Sequence, residues 1–276
     1  MACKSMKEEF SFKKMGFSCN DKEKRSFYVS QWGQNRAVFF IYRLMIALLS
    51  LSWTISFYVY WSIHCKRHVA NAYRYITLWS DFLRTTYFTS AFVLCLVGLA
   101  NDKRNIAEQD FVKWLRGMAW YLHTVSVLSN FAVTTFYWTF VAPTMPDEEA
   151  FGIFSILLHA CNSVLIILDL VIVAFPVRLL HSIYGMALAL FYGVFTILLW
   201  RVGDTSAVYE ILDWEVNPGV AAALILLSAF VGSPLAQLLT FGIYILKNKV
   251  RKHNHKHSST DETNSMIEIK TEEEQA

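Results

Sequence analysis

Six long apolar runs with very few charges decide what this sequence can fold into. Each run has 18 to 28 residues, close to the length of helix that crosses roughly 30 Å of hydrocarbon. Charged side chains are costly at the centre of a bilayer, so their scarcity in these runs is typical of membrane spans. We therefore predict an all-α, polytopic membrane protein with a six-helix transmembrane bundle. The predicted spans are 37–63, 76–100, 117–141, 152–175, 183–200 and 219–246.

The charged residues crowd the two ends of the chain and a few short connections. This distribution predicts an N-terminal tail at 1–36, a transmembrane domain at 37–246 and a C-terminal tail at 247–276. The last segment is polar and highly charged, so we expect it to be disordered. The formal net charge of +3 comes from basic residues that flank the membrane. It therefore gives no indication of nucleic-acid binding.

The distribution of Lys and Arg predicts how the bundle is oriented. With six spans, 19 basic residues fall on the side of the two termini and 4 on the opposite side, while Arg43 and Arg84 lie within spans. Cytosolic loops carry the excess of basic residues, so both termini are predicted to be cytosolic. The span lengths fit the plasma membrane and the endoplasmic reticulum equally well.

One group of polar residues is predicted to share the outer half of the membrane. Thr77 begins the second span, Asp81 lies one turn deeper on the same face, and His159 lies roughly 10 Å into the fourth span. A hydroxyl becomes a nucleophile when a neighbouring base takes its proton, and imidazole is the usual base near neutral pH. Thr77 and His159 are therefore candidate catalytic residues, which Asp81 or Asn162 would orient. The alternative is that all four only stabilise the bundle.

A second group of ionisable residues is predicted to lie deeper or nearer the cytosol. Arg43, His123 and Asp169 fall in the inner half of the membrane, and Arg84 falls near its middle. The structural interpretation is that Asp169 neutralises Arg43 or Arg84, because an unpaired buried charge is costly. The functional interpretation is that these side chains line a polar path or bind a lipid head group.

Five stretches of the chain, taken in their order and spacing, resemble one family of membrane proteins. They are WGQNRAVFFIYR (32–43), YRYITLWSDF (73–82), WYLHTVSVLSN (120–130), LLHACNSVLIILDL (157–170) and VYEILDW (208–214). These stretches are similar to the rolling stone proteins, which are multipass membrane proteins associated with myoblast fusion. That family belongs to one superfamily with the androgen-induced and androgen-dependent TFPI-regulating proteins. The resemblance runs from Trp32 to about Leu246.

The resemblance implies specific roles for two residues. The androgen-induced branch cleaves fatty acid esters of hydroxy fatty acids with a Thr nucleophile and a His. The family Thr follows an aromatic residue and Leu at the start of the second span, and Tyr75, Ile76 and Thr77 match that context. The family His precedes an acidic residue by ten positions, as His159 precedes Asp169. Thr77 would then be the nucleophile and His159 the base.

Two departures place this chain nearer to rolling stone than to the hydrolases. The acidic residue is Asp169 where the hydrolase branch tends to have Glu, and the segment 159–168 lacks the mid-helix Pro of the hydrolases. The leading hypothesis is an intramembrane hydrolase of fatty-acyl esters, with a role in lipid metabolism. The alternative is a non-enzymatic protein of cell–cell fusion or adhesion. A transporter or channel is the third hypothesis, and the sequence shows no repeated halves of the transporter kind.

The expected partners are membrane lipids, with fatty-acyl esters as substrate. Neither hypothesis implies a metal ion or an organic cofactor. The loop at 201–218 has the aromatic and aliphatic residues expected of a cap over the outer end of the bundle. If the protein acts in fusion, this loop is the predicted surface for a protein partner.

Overall fold

The structure of this chain is a bundle of six long helices. The computed structural model describes residues 9–33, 35–63, 69–104, 110–203 and 207–273. All six helices are long and apolar enough to cross a membrane, which confirms the predicted all-α membrane fold. In these ranges no β-strand occurs, and Ser30 and Val173 form an isolated antiparallel bridge. The helices are α1 (Arg36–Ile63), α2 (Ile76–Ala100), α3 (Asp110–Thr144), α4 (Ile153–Ile172), α5 (Leu179–Arg201) and α6 (Pro218–Asn254).

Two helices run on beyond the spans. The helix that contains α2 continues to Arg104, and the helix at the end of α6 continues to Glu273. The second extension differs from the disordered tail that the sequence analysis expects at 247–276. The reason is local, because 243–273 contains neither Pro nor Gly, the two residues that most strongly oppose a helix interior.

The outward faces of the helices are apolar, as a lipid environment requires. Met45 on α1, Phe191 on α5 and Leu239 on α6 are each more than half exposed. Exposed apolar area on this scale is rare in water-soluble monomers and normal for surfaces that face lipid tails. These side chains therefore mark the membrane-facing surface of the bundle.

Three of the helices contain a π-helical segment of five residues. The segments are Tyr137–Val141 in α3, Leu157–Cys161 in α4 and Ser228–Gly232 in α6. Such segments are rare and occur often at functional sites, because the extra residue in the turn redirects nearby side chains. The first two bring Tyr137 and His159 together, as described below.

Helices α5 and α6 approach each other closely at two glycines. A Cβ atom on Gly185 would lie 2.3 Å from the Ser233 Oγ, and one on Gly193 would lie 2.5 Å from the Ile225 Cγ2. Small residues at helix contacts are the usual means of tight packing between spans, since lipid supplies no hydrophobic drive for association.

The N-terminal segment, residues 9–33, packs against one end of the bundle, which we call the N side. Phe27 is fully buried, in ring contact with Trp120 and Phe175. The Gln31 backbone N–H donates to the Ile172 carbonyl at 2.8 Å, and its side chain donates to the Asn248 Oδ1 at 3.0 Å. Most of the predicted tail at 1–36 is therefore part of the folded domain.

Arg178, between α4 and α5, holds the first part of this segment. Its guanidinium donates to the carbonyls of Gly16 and Ser18, both at 2.8 Å, and forms an ion pair with Glu23 at 3.3 Å. It also lies over the Trp120 ring at 4.4 Å from the ring centroid. One buried arginine thus satisfies carbonyls of a segment that has little regular structure of its own.

Gly98 on α2 offers a test of this docking. A Cβ atom there would lie 2.4 Å from two ring atoms of Tyr28 in the N-terminal segment. We expect Gly98→Val to displace Tyr28, to cost about 1–3 kcal/mol as overpacking does, and to speed tryptic cleavage within residues 13–25. Gly242→Ala on α6 is the control, because nothing lies within 4 Å of a Cβ atom there. Equal cleavage rates in the two variants would contradict the docking role of this contact.

Candidate functional site

The candidate site lies in the half of the bundle opposite the N side. Thr77 is the second residue of α2 and is buried. Its neighbour Leu78 packs in one apolar cluster with Leu158, the residue before His159, together with Phe57 and Ala72. The starts of α2 and α4 therefore meet in one layer of the bundle.

His159 lies within the π-helical segment of α4. Its ring stacks flat on the ring of Tyr137, with the centroids 3.5 Å apart and the planes 2° from parallel. The Thr134 hydroxyl donates to the His159 carbonyl at 2.5 Å. The imidazole itself makes no hydrogen bond to any described residue, and its Nδ1 is buried without a partner. Stacking therefore positions the ring and leaves Nδ1 available for a proton or a ligand.

The Thr77 hydroxyl meets a residue that the sequence analysis did not single out. The Tyr209 hydroxyl lies 3.4 Å from the Thr77 Oγ1. Among the described residues, no hydrogen bond joins Thr77 directly to His159. Two consecutive residues of α3 link the two sides of the site instead, since Phe136 contacts the Tyr209 ring at 5.5 Å and Tyr137 stacks on His159.

Tyr209 belongs to the loop between α5 and α6, whose residues 207–217 the structure describes. Leu212 is buried against Tyr192 and Ala221, and the Trp214 indole N–H donates to the Thr196 hydroxyl at 3.1 Å. This described part confirms that the loop caps the bundle. The signal was available in the sequence, because the stretch VYEILDW contains Tyr209, but no pattern identified its partner.

Asp81 and Asn162 do not orient the candidate pair as the sequence analysis expects. Both are bound to Arg84, whose guanidinium donates to the Asp81 Oδ1 at 2.6 Å and also to the Asn162 Oδ1. The Thr54 hydroxyl of α1 donates to the other Asp81 oxygen at 2.7 Å. The cause is the buried guanidinium of Arg84. An unpaired buried charge costs free energy, so the guanidinium binds the acceptor oxygens of both Asp81 and Asn162.

This arrangement joins the helices that carry the candidate pair. Asp81 follows Thr77 by one turn of α2, and Asn162 follows His159 by three residues on α4. Arg84 bridges the two, so it fixes the spacing of α2 and α4 directly below Thr77 and His159. Asp81 and Asn162 therefore hold the helices that carry Thr77 and His159 in place, and neither forms a hydrogen bond with the His159 imidazole in the described part of the chain.

The other predicted charge group lies toward the N side. Asp169 forms an ion pair with Arg43 at 2.9 Å and not with Arg84, which resolves the two alternatives left by the sequence. Its carboxylate also accepts from the Tyr42 hydroxyl at 2.7 Å and the Tyr87 hydroxyl at 2.5 Å. Arg43, Tyr87 and Asp169 are almost wholly buried, and both carboxylate oxygens of Asp169 accept hydrogen bonds there.

His123 stands beside this cluster and does not join the ion pair. Its ring meets the rings of Tyr87 and Phe175 at 5.2 Å and 5.4 Å, and its Nε2 has no hydrogen-bond partner among the described residues. Lys247 of α6 lies near the same end and donates to the carbonyls of Leu170 and Val173. The side chains around Arg43, His123 and Asp169 therefore pack as a buried polar core and do not line an open polar path through the bundle.

A groove with a volume of about 740 Å³ runs along the bundle and borders Leu78, the residue after Thr77. Its size is within the usual range for ligand pockets, and its walls are apolar and aromatic. Leu78, next to Thr77, is one of the lining residues. The groove is lined by Tyr58, Ala72, Tyr73, Leu78, Trp79, Phe82, Leu83, Tyr121, Tyr184, Ala187, Leu188 and Phe191.

Comparison with known proteins gives a consistent family match. Residues 1–261 match the model of the protein family described as Protein rolling stone. Over 258 residues the chain is 31% identical to Protein rolling stone of Drosophila melanogaster, in an alignment that covers 89% of this chain and 90% of the relative. No solved structure matches the chain.

Proposed function

The chain belongs to the rolling stone family, and from that premise we propose that it is an intramembrane hydrolase of fatty-acyl esters. The proposal joins two arguments. The first is the resemblance of the Thr77 and His159 contexts to those of membrane hydrolases that use a threonine and a histidine. The second is the geometry around these two residues.

One observation carries the proposal, namely the state of the His159 ring. A buried imidazole normally has a hydrogen-bond partner, because an unpaired buried polar group costs free energy. His159 has none among the described residues, although it lies in a π-helical segment and is held flat against Tyr137. A ring positioned this firmly and left unpaired is what a general base needs.

The reaction follows from the two side chains. The Thr77 Oγ1 attacks the ester carbonyl carbon while His159 takes the hydroxyl proton. The ester C–O bond breaks, the leaving alkoxide takes that proton from His159, and an acyl-threonine remains. A water molecule, deprotonated by His159, then attacks the acyl carbon, the bond between that carbon and the Thr77 Oγ1 breaks, and the Thr77 oxygen takes the proton back from His159 as the fatty acid leaves.

The groove supports a lipid as substrate. It borders Leu78, and its aromatic and aliphatic walls suit acyl chains better than polar substrates. We also infer from the Lys and Arg distribution that both termini face the cytosol, in the plasma membrane or the endoplasmic reticulum. The reactive threonine would then lie in the leaflet away from the cytosol.

The first test is labelling of the purified protein with a fluorophosphonate probe, followed by turnover of a fatty acid ester of a hydroxy fatty acid. We expect the wild type to be labelled and Thr77→Ala to be unlabelled. Turnover should fall by a factor on the order of 10³ or more in Thr77→Ala and in His159→Gln, as for other nucleophile–base pairs.

Thr86→Ala is the matched control on the same helix. The Thr86 hydroxyl only bonds to the Phe82 carbonyl of its own helix, at 2.8 Å, so its loss should leave labelling unchanged. A folded wild type that takes no label and turns over no ester would overturn the hydrolase proposal. The fusion or adhesion hypothesis would then remain, and deletion within the loop at 207–217 would test it in a cell-fusion assay.

A further inference from the structure

Among the described residues of the loop, Tyr209 is the one whose side chain forms a hydrogen bond with the proposed nucleophile. Its hydroxyl lies 3.4 Å from the Thr77 Oγ1, and its ring meets the rings of Tyr75 and Phe136 edge-on at 6.0 Å and 5.5 Å. Aromatic residues on both sides therefore fix the direction of the phenol.

The loop around Tyr209 is anchored on the bundle. The Tyr209 carbonyl accepts the Leu212 backbone N–H at 2.8 Å, and Leu212 is buried between α5 and α6. Trp214 is bound to Thr196 on α5. Because packing holds the chain immediately after Tyr209, the phenol is a preorganised group and not a surface side chain that happens to touch Thr77.

The hydroxyl of Tyr209 is protonated near neutral pH. Burial raises the pKa of Tyr209 to about 12, and the hydrogen bonding with Thr77 offsets only part of that effect. The phenol therefore cannot act as a base toward Thr77. It can donate a hydrogen bond, whereas the unpartnered Nδ1 of His159 can accept a proton, so the two groups have separate roles.

We propose that Tyr209 is a further catalytic residue whose hydroxyl donates a hydrogen bond to the oxyanion of the ester carbonyl when Thr77 attacks. This inference rests on the proposed hydrolase function. The oxyanion is two bonds from the Thr77 Oγ1, so a donor already in contact with that atom lies within reach of it. As the carbonyl oxygen gains charge, the hydrogen bond strengthens. Because the hydrogen bond is stronger in the transition state than in the bound ester, it lowers the barrier.

The decisive variant is Tyr209→Phe, which removes one oxygen atom and keeps the ring contacts. We expect kcat to fall by about 10²–10³, as for the loss of one oxyanion donor, with KM and Tm unchanged. The rate of fluorophosphonate labelling should fall as well, because the phosphonyl oxygen occupies the place of the carbonyl oxygen. Both readouts differ from those of a residue that only supports the loop.

Tyr192→Phe is the matched control. The Tyr192 hydroxyl donates to the Arg74 carbonyl at 2.8 Å, just before α2, and its ring belongs to the same apolar cluster, but among the described residues no hydrogen bond joins it to the Thr77 side chain. This variant should lower Tm and keep kcat. Equal losses of kcat in the two variants would overturn the role of Tyr209.

The same experiment separates the two proposals. If Thr77→Ala abolishes turnover and Tyr209→Phe keeps the wild-type kcat, the inference about Tyr209 is wrong and the hydrolase function stands. If Thr77→Ala keeps turnover, the nucleophile is misassigned and both proposals fail. A selective loss of kcat in Tyr209→Phe, with Thr77→Ala inactive, is the result that supports both.

Discussion

Replacing Asp169 with asparagine is expected to lower the free energy of unfolding by about 3–5 kcal/mol, because it leaves the buried charge of Arg43 without a counter-charge. Arg43 is wholly buried, and Asp169 is its ion-pair partner at 2.9 Å. The hydroxyls of Tyr42 and Tyr87 would also lose a charged acceptor. In detergent, a drop in Tm on the order of 10 °C should follow.

The double variant Arg43→Met/Asp169→Leu is the control for this result. It removes both charges and keeps apolar volume, and such replacements of buried ion pairs are often neutral or stabilising. We expect the double variant to recover much of the Tm that Asp169→Asn loses. If Asp169→Asn unfolds at the wild-type temperature, the ion pair does not hold α1 to α4 in the way its geometry indicates.

The second large effect is expected for Arg84→Met. This change removes the bridge between α2 and α4 and leaves the carboxylate of Asp81 buried with only the Thr54 hydroxyl as donor. The expected cost is about 3–5 kcal/mol, again from an uncompensated buried charge. Because Arg84 also fixes the spacing of the helices that carry Thr77 and His159, turnover should fall even in protein that remains folded.

A double-mutant cycle with Asp81→Asn tests the coupling. If the two residues act as one unit, Arg84→Met/Asp81→Asn should be less destabilised than the sum of the single variants. Arg201→Met is the control, since Arg201 is exposed at the end of α5 and lies over Trp200. That surface change should stay within about 0.5 kcal/mol of the wild type. Additive effects of Arg84→Met and Asp81→Asn would contradict the bridge.

The membrane fold could be predicted from the sequence because its main constraint is local. The length and polarity of a run such as 37–63 can be determined from the sequence of that run alone. For this reason α1 begins within one residue of the predicted start. The beginning of α3 was harder to predict. It starts at Asp110, before the predicted span at 117–141, because a helix can extend beyond the membrane into water. An apolar run marks only the part of the helix that lies in the membrane.

Partners of the buried polar residues could be predicted less well. Asp169 had two candidate cations, Arg43 in the inner half of the membrane and Arg84 near its middle, and depth alone does not say which helix faces which. The Thr77 contact with Tyr209 joins residues 132 positions apart, through a loop whose path no local pattern defines. The π-helical segment at His159 was also missed, since its residues are ordinary helix formers and the extra residue per turn has no signature in the sequence.

The packed N-terminal segment has a consequence for the order in which this protein is completed. Gln31 is synthesised before all six apolar runs, yet its side chain binds Asn248, which is synthesised after all of them. Its backbone partner Ile172 also comes more than 140 residues later. The N-terminal segment can therefore complete its contacts with the bundle only after the last helix has been made.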